Sequence, residues 1–286
     1  MSGTDAPAAP PLAHGWAGAT SGPVTVVLHG GGPGCHATSD FGAVLAALPQ
    51  RRWLWADLPG YGASPAPRPA PGGAEGAADA LALLLDGLGK PQVDVLAQSF
   101  GGTVALRLAA ARPELIRRIV LIGSQPSAAP GGTSGLRTDP HLASRARAAY
   151  YGGTGPTPAK MRTLLAELEW YDADAIPEPT VRARFAASTT ADALARAHVT
   201  APTADLGPQL GSVEAPVLVL WGRHDPFAGP DYAAALADAL PRGDLTVVGR
   251  AAHHPQAERP ALVAALANAF LGATPSPLIS PSSSRS

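Results

Sequence analysis

The chain has 286 residues, 46% of them hydrophobic and 15% charged, which is enough to build one large α/β domain or a core with an insertion. Its 21 Lys and Arg residues nearly balance its 22 Asp and Glu residues. Because it also has no basic block, an electrostatic attraction to nucleic acid or to an anionic membrane is excluded. This balance favours a small molecule as the partner.

The cysteine content and the N-terminal sequence bear on the compartment. The single cysteine, Cys35, cannot form an internal disulfide. The N-terminal residues lack the basic and apolar regions of a secretion signal, and no apolar run approaches the roughly 20 residues of a membrane helix. These features predict a cytoplasmic protein.

The first part of the chain alternates between strands and helices. Residues 1–20 are rich in Ala, Pro and Gly and are predicted to be a flexible arm. The predicted strands that follow are residues 24–28, 53–57, 93–96 and 119–122, and the predicted helices are residues 41–48, 74–88 and 103–111. Such alternation predicts a parallel sheet with helices on both faces.

The alternation is interrupted and then resumes. Residues 126–210 contain helical stretches broken by Pro and Gly, so we expect a helical cap inserted into a core of residues 21–125 and 211–272. Strands are predicted at 217–221 and 245–248, and helices at 232–240 and 261–271. The polar tail 273–286 is predicted to be disordered.

Ser99 lies at the predicted junction of a strand, a sharp turn and a helix, in the segment L-A-Q-S-F-G-G. Such a turn exposes the serine hydroxyl at the carboxyl end of the sheet, beside the first N–H groups of the next helix. Ala97 and Gly101 are the small residues that let the two backbones approach each other there. The pattern indicates a nucleophile, although a serine between small residues also occurs in ordinary loops.

Two further strand ends carry the groups that a serine nucleophile needs. Asp225 follows strand 217–221, and His253 follows strand 245–248. The chain order Ser, Asp, His is that of a triad in which the imidazole accepts the serine proton and the carboxylate fixes the imidazole tautomer. Taken singly, Asp225 is also explained as a turn residue and His253 as a surface histidine. His254 is the rival base, and with His253 in that role we expect His254 to line the pocket.

The loop H-G-G-G-P-G follows the first predicted strand. Its glycines allow a backbone N–H to approach a tetrahedral oxyanion, so Gly31 and Gly32 are predicted to form an oxyanion hole with the N–H of Phe100. A phosphate-binding loop is excluded because no G-K-[ST] or G-x-G-x-x-G pattern follows. Cys35 is interpreted as a packed thiol, and no metal or cofactor is expected.

Together these residues resemble the α/β-hydrolase superfamily over about residues 22–272. Three segments, 29–34, 57–64 and 176–188, are similar to the meta-cleavage-product hydrolases. That resemblance implies an α/β-hydrolase fold with a mostly parallel sheet and a helical cap, and an enzyme that cleaves a carbon–carbon bond in a vinylogous diketone. It also implies that Arg184 holds a substrate carboxylate, whereas the alternative is a solvated arginine on a cap helix.

The chain departs from this family at three expected substrate-binding positions. Gln98 and Asp40 stand where the family usually has Asn, and His254 stands where it has Trp. The polar lining of the pocket has therefore changed. A more distant similarity to proline iminopeptidases rests on the glycine loop, but the R-G-x-G-x-S segment of those enzymes is replaced here by L-P-G-Y-G-A-S.

The sequence therefore predicts a cofactor-independent serine hydrolase that attacks a carbonyl of a small molecule. The bond could be carbon–carbon, ester, thioester or amide. The alternatives are an amide hydrolase similar to proline iminopeptidases and a non-catalytic ligand-binding protein on the same fold. An Asp nucleophile, as in dehalogenases and epoxide hydrolases, is excluded by Ser99. The sequence leaves open whether the chain forms a homo-oligomer.

Overall fold

The computed structural model describes residues 11–66, 73–89, 92–197 and 205–272. Within them, seven strands form one sheet in the order β1-β3-β2-β4-β5-β6-β7, with β1 antiparallel to β3 and all other neighbours parallel. The strands are β1 (His14–Gly18), β2 (Val24–Leu28), β3 (Arg52–Ala56), β4 (Val93–Gln98), β5 (Ile116–Ile122), β6 (Val217–Gly222) and β7 (Gly243–Val248).

The α-helices of the described ranges fall into a core set and an inserted set. The core helices are α1 (Ala37–Ala47), α2 (Gly73–Gly87), α3 (Phe100–Ala111), α8 (Pro230–Asp238), α9 (Pro255–Glu258) and α10 (Pro260–Gly272). The inserted helices are α4 (Leu142–Tyr151), α5 (Pro158–Leu168), α6 (Glu178–Ser188) and α7 (Ala191–Ala197). None of these helices has the length and apolar character needed to cross a membrane.

The sheet is buried on both faces, as its continuous apolar strands require. Helices α2, α3 and α8 cover one face and bury Leu81, Val104 and Tyr232 against it. Helices α1 and α10 cover the other face through Phe41 and Val263. The predicted mostly parallel sheet with helices on both faces is therefore confirmed.

One part of the sequence interpretation is wrong. Residues 14–18, predicted to belong to a flexible arm, form the edge strand β1, whose backbone pairs with β3. The absence of a side chain at Gly15 makes room for the ring of Trp55, since a Cβ there would lie 2.5 Å from that ring. Glycine and other small residues have low strand propensity, so the sequence pattern did not indicate this strand. Its pairing with β3 stabilises it instead. Residues 1–10 and the predicted tail 273–286 lie outside the described residues.

Helices α4 to α7 are inserted in the chain between β5 and β6, within the residues predicted to form the cap. They have an apolar cluster of their own, built around Tyr150, Met161, Leu165 and Trp170. A separate small core allows this insertion to pack as a unit over the sheet. Its position matters for function because α4 and α5 face the ends of the strands across a cavity.

Candidate active site

Ser99 stands at the turn between β4 and α3 in a strained backbone conformation, with φ 49° and ψ −115°. Its N–H donates to the carbonyl of Ile122 at 2.8 Å, and the hydroxyl of Ser124 donates to the Ser99 carbonyl at 2.7 Å. A Cβ at Gly101 would lie 2.5 Å from the carbonyl oxygen of His29, so only glycine fits there. These contacts thus stabilise the strained turn that exposes the Ser99 side chain.

Asp225 and His253 meet at the ends of β6 and β7. The Nδ1 of His253 lies 2.7 Å from Oδ2 of Asp225, while Oδ1 of the same carboxylate accepts the N–H of Phe227 at 2.9 Å. Both side chains are buried. A neutral imidazole in this contact carries its proton on Nδ1, which leaves Nε2 free to accept one.

The backbone beside His253 also fits the ring closely. Gly123 has φ +55°, and a Cβ at this position would lie 3.1 Å from Nδ1 of His253. The side-chain amide of Gln98 donates to the carbonyl of His253 at 3.2 Å, and the ring of Phe227 meets the imidazole edge-on with centroids 4.5 Å apart. His253 is therefore held from several sides.

A cavity of about 370 Å³ opens at this edge of the sheet. Ser99 and His253 both line it, as do the three predicted oxyanion-hole residues Gly31, Gly32 and Phe100. Opposite them, the inserted helices contribute Ser144, Arg147, Leu164 and Leu168 among other residues. The structure thus brings Ser99, His253 and the predicted oxyanion-hole residues to one cavity, with Asp225 behind His253.

The glycine loop is fixed by contacts that leave little room for side chains. The hydroxyl of Tyr61 donates to the carbonyl of Gly31 at 2.8 Å. A Cβ at Gly31 would lie 3.1 Å from the Phe100 side chain, and one at Gly32 would lie 3.0 Å from Oε1 of Glu169. This loop therefore brings its backbone to the cavity beside Ser99, as an oxyanion hole requires.

The predicted substrate-binding residues divide into two pairs. Gln98 and His254 line the cavity. Asp40 and Arg184 are not among the described residues that line it, and both are buried, with Arg184 only 1% exposed. The structure therefore differs both from the expectation that Arg184 contacts a substrate carboxylate and from the alternative of a solvated arginine.

The partner that removes Arg184 from the cavity is Glu169, which the sequence interpretation missed. Nη1 and Nη2 of Arg184 donate to the two carboxylate oxygens of Glu169 at 2.9 and 2.7 Å, and Nε donates to the carbonyl of Pro33 at 3.1 Å. Glu169 directly follows α5 and Arg184 lies on α6. Because no local spacing rule relates residues on different helices, nothing in the sequence singled out Glu169.

Asp40 completes this buried network. Its Oδ1 lies 3.5 Å from Nη1 of Arg184, and its Oδ2 accepts the N–H of Gly30 at 3.2 Å. Burial opposes ionisation of Asp40, but its neighbours, with the charge of Arg184 as the largest contribution among them, outweigh burial and lower the pKa of Asp40. Burial alone would lower the pKa of Arg184, and the neighbouring carboxylates of Glu169 and Asp40 raise it instead.

His254 and Cys35 lie beside the network and are uncharged. Burial lowers the pKa of His254 well below the ordinary histidine value, so its imidazole is neutral near pH 7. Burial likewise raises the pKa of the Cys35 thiol well above its usual value. A packed thiol, as the sequence indicated, describes Cys35 better than a nucleophile.

Cys35, Glu169 and His254 place potential metal ligands within 4.8 Å of one another. However, Arg184 donates to both carboxylate oxygens of Glu169. A metal cation at this point would meet the charge of the guanidinium and would compete with it for the carboxylate. The arrangement therefore fits an ion-pair network better than a metal centre.

Comparison with known proteins agrees with this geometry. Residues 24–260 match the family model described as alpha/beta hydrolase fold. The chain is 32% identical to the 2-hydroxymuconate semialdehyde hydrolase of Pseudomonas sp. (strain CF600), over 86% of each chain. It is 30% identical to the 2-hydroxy-6-oxononadienedioate/2-hydroxy-6-oxononatrienedioate hydrolase of Burkholderia vietnamiensis (strain G4 / LMG 22486), over 84% of this chain and 83% of that one.

A solved structure shows the same similarity in three dimensions. The 2-hydroxy-6-oxo-6-phenylhexa-2,4-dienoate hydrolase of Rhodococcus sp. strain RHA1 superposes with a TM-score of 0.77 at 26% identity. The match covers 92% of this chain and 95% of that chain. Because the match covers nearly the whole of both chains, the similarity includes the inserted helices as well as the sheet.

Proposed function

Because the chain belongs to the alpha/beta hydrolase fold family, we propose that it is a cofactor-independent serine hydrolase that attacks a carbonyl carbon of a small molecule bound in the cavity. One observation carries this proposal. His253, paired with Asp225 at 2.7 Å, lines the same cavity as the strained Ser99. This arrangement supports a catalytic protein over the alternative of a non-catalytic binding protein.

In the proposed reaction, Ser99 Oγ attacks the carbonyl carbon while His253 Nε2 accepts its proton. Asp225 holds the Nδ1 proton and stabilises the imidazolium. The N–H of Phe100 and that of Gly31 or Gly32 donate to the oxyanion, and each such donor is worth about 3 kcal/mol of transition-state stabilisation. When the tetrahedral intermediate collapses, the leaving group departs with the proton of His253. Water, deprotonated by His253, then cleaves the acyl-enzyme and restores Ser99.

The curated relatives support a carbon–carbon bond as the one that is cleaved. Their names describe hydrolases of 2-hydroxymuconate semialdehyde and of 2-hydroxy-6-oxononadienedioate and 2-hydroxy-6-oxononatrienedioate. Cleavage of such a bond leaves a carbanion, and a conjugated carbonyl in the leaving half would delocalise that charge before protonation. We therefore propose a vinylogous diketone as the substrate type, with ester or amide cleavage as the alternatives that the test must separate.

The finer features of the protein are proposals as well. We propose that residues 126–210 act as a cap that sets specificity, because α4 and α5 line the cavity opposite Ser99. We also propose that the protein works in the cytoplasm, which is consistent with its single buried cysteine.

The decisive experiment compares wild-type protein with the Ser99→Ala variant on a chromogenic vinylogous diketone and on a short-chain nitrophenyl ester. We expect Ser99→Ala to lower turnover of both by at least about 10³-fold, because the nucleophile is lost. Ser212→Ala, which changes an exposed serine, is the matched control and keeps full activity. Substantial turnover by folded Ser99→Ala protein would disprove the serine mechanism. Cleavage of the ester alone would assign the enzyme to ester or amide chemistry.

A further inference from the structure

Glu169 places a carboxylate in the wall of the cavity that contains Ser99. It directly follows α5, is 3% exposed, and lines the cavity next to His254. Its Oε2 lies 3.4 Å from Nδ1 of His254, and its backbone carbonyl accepts the N–H of His254 at 3.0 Å. A substrate that fills this part of the cavity therefore meets Glu169 and His254.

The nearest cation cannot offset a further negative charge. Arg184 directs Nη1 and Nη2 to Glu169, Nε to Pro33, and lies 3.5 Å from the second carboxylate, that of Asp40. These contacts occupy the guanidinium from several directions. A substrate carboxylate would have to displace Glu169, which would leave a buried carboxylate without its partner.

The charge of the group as a whole points the same way. Arg184 contributes one positive charge, whereas Glu169 and Asp40 contribute two negative charges, so the group carries one net negative charge. His254 adds no positive charge, because burial keeps its imidazole neutral near pH 7. A carboxylate brought to this wall would be repelled, while an N–H or O–H group could donate to Glu169.

We propose that Glu169 is a specificity-determining residue that keeps Arg184 from binding a substrate carboxylate and selects a substrate whose group at this wall is an uncharged or protonated hydrogen-bond donor. This inference rests on the proposed function, since it names the substrate class of the same cavity. It leaves the chemistry at Ser99 unchanged and concerns only the part of the substrate that lies against Glu169.

Arg137 and Arg147 also line the cavity. Arg147 donates to the backbone carbonyls of Ala197 and Arg196 and stacks on Tyr151. These cationic residues offer a substrate carboxylate a different location, so the experiment must report on Glu169 itself rather than on the charge of the whole cavity.

Two esters that differ in one group test the proposal. The first is the 4-nitrophenyl monoester of glutaric acid, which carries a free carboxylate, and in the second a primary amide replaces that carboxylate. After subtraction of uncatalysed hydrolysis, we expect wild-type kcat/KM to be at least about ten-fold higher for the amide, since like charges brought together in a buried site repel strongly. Equal or faster hydrolysis of the carboxylate ester would overturn the proposal. A carboxylate ester that binds productively at Arg137 or Arg147 would mean that Glu169 does not select the substrate.

The variant Glu169→Gln assigns the preference to this side chain. Glutamine keeps the shape and one acceptor oxygen but removes the charge, so we expect the amide-to-carboxylate ratio to fall about ten-fold. Glu167→Gln is the matched control, because Glu167 lies two residues before Glu169, in the last turn of α5, with its side chain exposed, and it should leave the ratio unchanged. Equal ratios in the two variants would contradict the role of Glu169.

A binding measurement keeps the inference independent of turnover and of the stability of Glu169→Gln. We expect calorimetric titration of the Ser99→Ala variant to show at least about ten-fold tighter binding of the amide ester than of the carboxylate ester. If wild-type protein cleaves neither these esters nor the diketone, the proposed function fails, and the calorimetric ratio still decides the inference. Tighter binding of the carboxylate ester would overturn the inference while leaving the hydrolase proposal intact.

Discussion

The site comprises the cavity and the buried residues behind its wall, and it has two ends that use buried charge in opposite ways. At the catalytic end, formed by Ser99, Asp225 and His253, the carboxylate contacts one nitrogen of the imidazole and leaves the other free. At the other end, which we call the Arg184 end and which is formed by Asp40, Glu169, Arg184 and His254, the guanidinium is enclosed by two carboxylates and a backbone carbonyl. One arrangement keeps a reactive atom available, whereas the other satisfies its charges within the protein.

This difference shows that the presence of a charged residue near a pocket does not fix its role. A buried charge requires a partner, and when the protein supplies that partner, the charge stabilises the structure instead of binding a ligand. Among the described residues, Asp225 and Arg184 do not line the cavity, and each contacts a residue that does, His253 and Glu169 respectively. The following substitutions test whether the two ends are separable.

The largest effect is expected at the catalytic end. Asp225→Asn keeps the shape of the side chain but favours the wrong imidazole tautomer, so we expect kcat to fall by about 10⁴-fold with little change in thermal stability. Asp238→Asn, which changes an exposed carboxylate at the end of α8, is the control. Steady-state kinetics and thermal unfolding measure the two effects. A loss of less than ten-fold in kcat would show that Asp225 does not orient His253.

At the Arg184 end, we expect a loss of stability. Arg184→Met leaves the carboxylates of Glu169 and Asp40 buried without a cation, and the free energy of unfolding should fall by about 3–5 kcal/mol. Arg182→Met is the matched control, since Arg182 lies on the same helix with an exposed side chain. Denaturant unfolding measures the difference. The double variant Arg184→Met/Glu169→Leu should recover part of the loss. Equal stability of Arg184→Met and of the control Arg182→Met would refute a structural role for the pair of Arg184 and Glu169.

The smallest effect concerns the pH dependence of stability at the Arg184 end. Because burial lowers the pKa of His254 in the folded protein, the unfolded chain binds a proton more readily, so stability is complete above about pH 6.5 and falls as the pH decreases below it. One such histidine contributes at most about 1.4 kcal/mol per pH unit. We expect His254→Gln to reduce this slope between pH 6.5 and 5, as measured by denaturant unfolding.

The control for this measurement is His141→Gln, which changes an exposed histidine and should keep the wild-type slope. Buried His29, whose pKa is also lowered by burial, remains in both variants and maintains part of the slope. An identical pH dependence in the His254→Gln variant and in wild-type protein would mean that His254 is not kept neutral by its surroundings.

The amount that the sequence predicted differs between the two ends. The strands were recognisable as short apolar runs, and because their carboxyl ends meet at one edge of a parallel sheet, the residues that follow them predicted Ser99, Asp225 and His253 as one group. The strand β1 was not predicted because its residues have little strand propensity and depend on pairing with β3. The ion pair of Glu169 and Arg184 was not predicted because its two residues belong to different parts of the inserted segment.

By itself, the sequence determined the order of the candidate catalytic residues along the chain: a serine at a sharp turn, followed by an aspartate and a histidine at the ends of later strands. Local patterns are sufficient there, because a parallel sheet converts chain order into spatial neighbourhood. Only the tertiary structure decided which buried charges face the cavity and which face each other. That choice depends on how α5 and α6 pack over the glycine loop, and a buried charge takes the partner that packing brings within hydrogen-bond distance.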